Sequence, residues 1–409
     1  MTRDSPAAFR PFLSIVLTGR NDGYGGDFVG RFLATLRFNS RELSARGILH
    51  EFVLVEWAPI PGAALLADLV DAQCPPSVAE ALHTIVVDPA YHEAVTLNPR
   101  LKYQEYIAKN VGIRRSRGEY VMTSNCDIFL GRRILERLES RDVQPSVLYR
   151  APRWDLKDRD DVWAIDWPYL EDPASLSGRA RSIKAPYFSG GAGDFILMDR
   201  ATFHRLGGFN EVYRLVRIAI DGNFVVNAAA WGVPIADVGG PVYHVDHAGS
   251  YRTSRAEYVG REAEAPYGDE RWPVDRVVYR NRPGWGLADA PEQSPGPRRV
   301  YLTFRWDAVP RFVDLAAIVP LFQQRARGVS GAGPPPLPAG PSERVPDAPA
   351  PTDADVQQYA HAVRDLHAAV SDAHGRIDRA TTTFADVRTF ARRRRRKAEE
   401  IAAKARSPV

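Results

Sequence analysis

A chain of 409 residues, 44% hydrophobic and 25% charged, has the make-up of a soluble globular protein, long enough for one large α/β domain with appendages or for two or three smaller domains. The net charge of +4 is smaller than the six positive charges of residues 392–397 alone, so no general nucleic-acid footprint remains once that tract is set aside. Two cysteines, Cys74 and Cys126, exclude a disulfide framework or a cysteine-built metal site and suit a reducing compartment.

Residues 1–12 lack the apolar core of a signal peptide, and no apolar run approaches the ~20 residues of a membrane span. The expectation is a cytoplasmic protein, peripheral at most on an inner membrane face. Residues 12–18 (FLSIVLT) are a β-branched run that predicts the first buried strand. GRNDGYGGD (19–27) then breaks it with glycines, which let backbone N–H groups approach phosphate, although it matches neither the Walker nor the dinucleotide pattern. Apolar residues at helical spacing (Phe28, Phe32, Leu33, Leu36, Leu43) predict a helix over 28–46. Residues 49–57 (LHEFVLVEW) predict a second strand. Near its carboxyl end stands Glu56, either a hydrogen-bond acceptor for a base or ribose or a plain exposed charge. A helix over 63–71 and a strand over 83–87 continue an alternation that argues for a parallel sheet with helices on both faces.

The polar helical stretch 98–117 holds Asn110, a functional amide or a buried helix cap. Next comes GEYVMTSNCDIFLG (118–131), a turn and a short buried strand ending in Asn125 and Asp127. Oxygen donors at a strand end can hold a hard divalent ion, because α/β sheets open into ligand crevices there; alone, the pattern is equally a strand followed by a polar turn. A helix over 132–140 and a strand over 146–149 follow. Residues 153–173 interleave Trp154, Trp163, Trp167 and Tyr169 with Asp155, Asp158, Asp160, Asp161 and Asp166. That mixture suits a sugar acceptor, stacked on rings and bonded by carboxylates, or a surface insertion.

FSGGAGDF (188–195) is a second glycine-rich turn feeding a strand, FILM, then a helix over 200–206 capped by Gly207 and Gly208. Asp221 opens a helix that runs to Ala230, and residues 234–237 and 242–245 predict the last strands. His244 and His247 are three apart on an extended segment and should point to opposite faces. At most one is expected at any one site, the other being exposed.

The catalytic-looking part closes after NRPGWGL (281–287). Residues 299–324 predict a strand and an amphipathic segment (RFVDLAAIVPLF) that packs on the core or touches a membrane surface. From 354 to 391, apolar residues spaced alternately by three and four predict a coiled coil and a homo-oligomer, or a helix docked on its own domain. The run 392–396 is solvated or meets anionic lipid. The expected organisation is a domain over 1–290, an extension packing on the core over 291–327, a Pro/Gly-rich linker over 328–352 and a coiled-coil helix with basic tract over 353–405.

AKNVGIRRSRGEYVMTSNCDIFL (108–130), GDFILMDRATFHRLGGFNE (193–211) and the later YHVDH (243–247) together resemble family 2 glycosyltransferases of the GT-A fold, over roughly residues 12–250. The resemblance implies an α/β fold with a GT-A-type, Rossmann-like mixed sheet flanked by helices. It implies a metal-dependent inverting glycosyltransferase that moves a sugar from a UDP- or GDP-sugar to a glycan or glycolipid acceptor, as in polysaccharide biosynthesis. It places Thr18, Arg20, Asn21, Glu56, Asn110 and Asn125 at the donor nucleotide. Asn125 and Asp127 correspond to the family's Asp-x-Asp motif, which holds Mn²⁺ or Mg²⁺ on the diphosphate, with His247 or His244 as a later ligand. Gly191, Asp194, Asn210 and Glu211 would meet the acceptor, and Asp221 would be the single catalytic base where the family often has Glu-Asp. Asparagine at 125 keeps an oxygen donor but removes a negative charge, which weakens the expected metal site. The processive Gln-x-x-Arg-Trp sequence is absent, against a membrane polymer synthase. Two other readings stay open: a nucleotidyltransferase, and a catalytically inactive scaffold assembled through the coiled coil.

Overall fold

The computed structural model describes residues 10–96, 101–157, 161–177, 192–211, 214, 220–247, 280–281 and 283–309. Gly191, the RFVDLAAIVPLF segment, the linker, the heptad helix and the basic tract lie outside these residues. In chain order the strands are β1 (Leu13–Gly19), β2 (His50–Trp57), β3 (Leu82–Val87), β4 (Tyr120–Ser124), β5 (Ile128–Leu130) and β6 (Leu148–Arg150). They continue as β7 (Arg153–Leu156), β8 (Phe195–Asp199), β9 (Ile235–Asp237), β10 (Val242–Val245), β11 (Glu292–Gly296) and β12 (Arg299–Leu302). The helices are α1 (Phe28–Ala45), α2 (Leu66–Gln73), α3 (Pro76–Ala81), α4 (Pro89–Val95), α5 (Glu105–Arg115), α6 (Arg132–Glu139), α7 (Trp167–Glu171), α8 (Arg200–Leu206) and α9 (Ile220–Ala230).

β1 and β2 are buried along their whole length and pair in parallel. Alternate side chains go to opposite faces. Ile15, Leu17, Phe52 and Leu54 pack with α1, α2, α3 and α6, whereas Val16, Val53 and Val55 pack with α4, α5, α8 and α9. Both faces being covered, these strands read as near-continuous apolar runs. α5 sits hard on the sheet at Gly112, where a Cβ would stand 2.5 Å from Val16 Cγ1 and 3.1 Å from Val55 Cγ2.

The main sheet runs β11-β12-β3-β2-β1-β4-β8-β6-β9. Its centre, β12 to β4, is parallel, but β8 lies antiparallel to both β4 and β6 and β11 antiparallel to β12, so the sheet is mixed. β12 adds beside β3, carrying the sheet into the segment expected as an extension. A second, three-stranded sheet runs β5-β10-β7. The helices expected from 63 and 98 begin at Leu66 and Glu105. Two short helices absent from the sequence reading, α3 and α4, open on proline at the first turn, where a missing N–H costs nothing. α8 ends at Gly207 in the left-handed conformation, as its glycine pair predicts.

Candidate active site

β4 ends the parallel centre of the sheet, and the chain passes through Asp127 into β5 of the second sheet. α1 pins this passage. Thr35 Oγ1 donates to the Cys126 carbonyl at 2.5 Å, Asn39 Nδ2 to the Ile128 carbonyl at 2.8 Å, and Leu130 N to Asn39 Oδ1 at 3.0 Å. β10 then pairs antiparallel to β5 with His244 opposite Ile128, and parallel to β7 with His244 opposite Asp155. Strand register thus brings residues far apart in the chain to one point.

His244 Nε2 lies 3.6 Å from Asp127 Oδ2, and His247 Nε2 lies 3.3 Å from the same oxygen. Both histidines therefore reach one carboxylate, where strand geometry predicted one. The reason is local: β10 stops at Val245, so His247 is free of the strand's alternation. Both are buried rather than exposed. His244 Nδ1 is bonded to Asp155 Oδ1 at 2.9 Å, which turns its Nε2 toward Asp127. Burial alone would raise Asp127, but His244 and His247 hold it well below the usual carboxylate range. Burial likewise opposes charge on His244, yet Asp127 and Asp155 raise it to about 9.

A carboxylate oxygen of Asp127 and a ring nitrogen from each of His244 and His247 lie within 4.8 Å of one another. One carboxylate and two imidazoles with open positions fit a divalent ion. The nitrogen content suits Mn²⁺ better than Mg²⁺, which favours an all-oxygen shell.

A second group of side chains continues from there. Arg153 Nε lies 2.9 Å from Asp155 Oδ1, and its Nη1 donates to both oxygens of Asp194 at 3.2 and 3.3 Å. Asn125 Nδ2 donates to Asp194 Oδ1 at 2.9 Å, and Asn125 Oδ1 accepts from Lys109 Nζ at 3.0 Å. Lys109 Nζ also donates to Glu105 Oε1 at 2.9 Å and to the Gly193 carbonyl at 3.0 Å. Gly193 N donates to Asp221 Oδ2 at 2.7 Å. A Cβ on Gly193 would meet Tyr106 Oη at 3.0 Å and Asp221 Oδ2 at 3.5 Å, so glycine permits this close approach. Burial raises Asp221 above the ordinary aspartate value, while the Gly222 and Gly193 N–H groups and Arg150 pull it back. Arg150 is fully buried, donates to the Phe195 carbonyl and is lowered by that burial to about 10.

No protein-family model matches the chain, and no curated protein matches it. Among solved structures, S. aureus TarS 1–349 in complex with UDP is similar at 12% identity and a TM-score of 0.35, covering 57% of this chain and 60% of that one. S. aureus TarS 1–349 is similar at 12% identity and a TM-score of 0.34, over 60% of this chain and 64% of that one. The chain thus spans less than two thirds of either TarS structure. At 12% identity the likeness says nothing of chemistry.

On the other side of Asp127 lies the glycine-rich segment 19–27. Buried Arg31 donates to the carbonyls of Gly25 at 3.1 Å and Tyr24 at 2.9 Å, and its Nε lies 3.8 Å from Asp127 Oδ2. Tyr24 meets His247 edge-on, ring centroids 5.3 Å apart. Thr18 shares a hydrogen bond with the Tyr103 hydroxyl, and the Arg20 guanidinium lies over the Tyr103 ring at 5.6 Å. Arg20 also pairs with Asp22 at 2.9 Å, and Asn21 Nδ2 donates to the Ala64 carbonyl at 3.1 Å.

Four expected site residues are directed inward instead. Glu56 is fully buried, and its two oxygens accept from Leu66 N at 2.8 Å and Ala67 N at 3.0 Å. It caps the positive end of α2. Burial raises it to about 7. Asn110 does not cap its own helix. Its amide donates to Phe209 O at 2.7 Å and Glu211 Oε1 at 2.9 Å and accepts from Phe209 N at 2.7 Å, clamping the GGFNE turn. Glu211 also takes Gly286 N at 2.8 Å, and Asn210 is buried against Asn223 at 3.5 Å. Buried amides and carboxylates need such partners.

The aromatic stretch divides in two. Trp163 stacks on Arg37 at 4.8 Å and Trp167 bonds Glu42 at 2.9 Å, both on α1, whereas Asp155 turns into the site. Sequence reasoning missed Lys109, Arg31, Arg150 and Arg153 as site residues. Glu105 and Lys109 at i,i+4 were the one visible signal among them.

Proposed function

We propose that this chain is a metal-dependent inverting glycosyltransferase acting on a UDP- or GDP-sugar and a glycan or glycolipid hydroxyl. One observation carries the reading: a carboxylate faced by two imidazoles at the end of β4 is joined by one polar network to a second carboxylate, Asp221, which accepts from backbone N–H groups. Asp127, His244 and His247 would hold Mn²⁺ or Mg²⁺, with Asp155 fixing the His244 ring. When bound, the ion supplies positive charge against the departing nucleoside diphosphate. Thr18, Arg20 and Asn21 would line the nucleotide, and Arg31 would keep the glycine-rich segment beside the Asp127 cluster.

Asp221 takes the proton of the acceptor hydroxyl as that oxygen attacks the anomeric carbon. The bond from that carbon to the diphosphate oxygen breaks on the opposite face, and its electron pair leaves with the diphosphate. A single displacement inverts the configuration. The burial that lifts Asp221 brings it closer to the pKa of an effective base at neutral pH. Self-association through residues 353–405 and peripheral membrane contact are further proposals from sequence.

Incubation with a panel of nucleotide sugars and Mn²⁺ tests the reading. Released UDP or GDP with a glycosylated acceptor supports it. Released pyrophosphate would make the protein a nucleotidyltransferase, and no product with any donor would leave a scaffold.

A further inference from the structure

Asn125 occupies the place of an acid in the resembling family, yet its amide is engaged in a way that a carboxylate could not reproduce. Oδ1 faces an ammonium, which only donates, and Nδ2 faces the Asp194 carboxylate, which only accepts, so the amide has one possible orientation. Lys109, 0% exposed, has three N–H groups and three acceptors: Glu105, Asn125 and Gly193. Its charge also lies 5.2 Å from the centre of the Tyr106 ring. Gly193, held by Lys109 through its carbonyl, holds Asp221 through its N–H.

We propose that Lys109 is a positioning residue for Asp221, and that Asn125 is a neutral coupler between the Asp127 and Asp221 halves of the site rather than a ligand to the ion. Only the kinetic part of this inference rests on the transferase reading. An aspartate at 125 would set two carboxylates against each other at hydrogen-bond distance with no proton between them. Loss of the ammonium would remove the one donor that Glu105, Asn125 and Gly193 share, and Gly193, released at its carbonyl, would withdraw its N–H from Asp221.

The full-length protein and its Asn125→Asp and Lys109→Met variants are titrated with Mn²⁺ by calorimetry, and kcat and donor KM are followed against pH. Lys109→Met should lower kcat about 10–100-fold, leave donor KM and Mn²⁺ affinity within about threefold of wild type, and move the acid limb of the kcat profile to higher pH. Asn125→Asp should bind Mn²⁺ no more tightly than wild type. A variant with aspartate at 125 that binds Mn²⁺ about tenfold more tightly makes that position a ligand and overturns the coupler role. Wild-type kcat and pH profile in Lys109→Met overturn the positioning role. Should Lys109→Met fail to fold, Lys109→Arg replaces it, because the charge is kept while a planar fork cannot serve three acceptors gathered round one nitrogen. A wild-type protein that binds Mn²⁺ but turns over no nucleotide sugar defeats the transferase reading, and the Asn125→Asp titration still decides the ligand question.

Discussion

Asp127 and Asp221 lie at two ends of one buried network, and their surroundings push them in opposite directions. At the β4–β5 passage, two imidazoles face the Asp127 carboxylate and keep it ionised. At the start of α9, burial and then the Glu105 charge raise Asp221 against the Gly222 and Gly193 N–H groups and Arg150. Under the proposed function the two identical side chains would do different work, one holding a cation and the other taking a proton.

The largest test of that contrast exchanges charge for amide at each end. Asp221→Asn should lower kcat about 10²–10⁴-fold while Mn²⁺ still raises the thermal midpoint. Asp127→Asn should lose the Mn²⁺-dependent thermal shift altogether. If both variants lose Mn²⁺ binding, the two ends do not have separate roles. A smaller effect is expected one bond further out: Asp155→Ala, which frees His244 Nδ1, should weaken Mn²⁺ binding about 10–100-fold by calorimetry. The pH profile sharpens the Asp221 end. A base must be unprotonated to act, so kcat should fall as pH drops through the raised value, and the acid limb should lie above the ordinary aspartate value of about 3.9.

A last effect concerns Glu56, a buried carboxylate that accepts from Leu66 N and Ala67 N. Its folded value of about 7 stands above the unfolded 4.5, so the native state retains a proton that the unfolded state has lost. Its contribution to stability is therefore complete below pH 4.5 and declines as pH rises toward 7, by at most about 1.4 kcal/mol per pH unit. Glu56→Gln should flatten that slope in urea melts, and an unchanged slope would place the titration elsewhere.

Much of the fold was legible because the central strands are long and buried on both faces. Residues 12–18 and 49–57 announce β1 and β2 through composition alone, and the glycine pair at 207–208 announces the end of α8. What stayed hidden depends on pairing between distant segments. β5, at Ile128–Leu130, and β7, at Arg153–Leu156, are too short to show a period, yet their register with β10 is what sets Asp155 and His244 beside Asp127. A buried charge such as Lys109 looks in sequence like any solvated lysine. The roles of Glu56 and Asn110 stayed open because polar residues at strand ends and in late helical turns look alike whether they meet substrate or their own backbone.

Thr35 and Asn39 grip the chain on either side of Asp127 from the same helix whose first turn carries Arg31, the anchor of the glycine-rich segment. One helix thus ties together the two segments on either side of Asp127. These segments cannot hinge against each other without tearing α1 from the backbone it clasps.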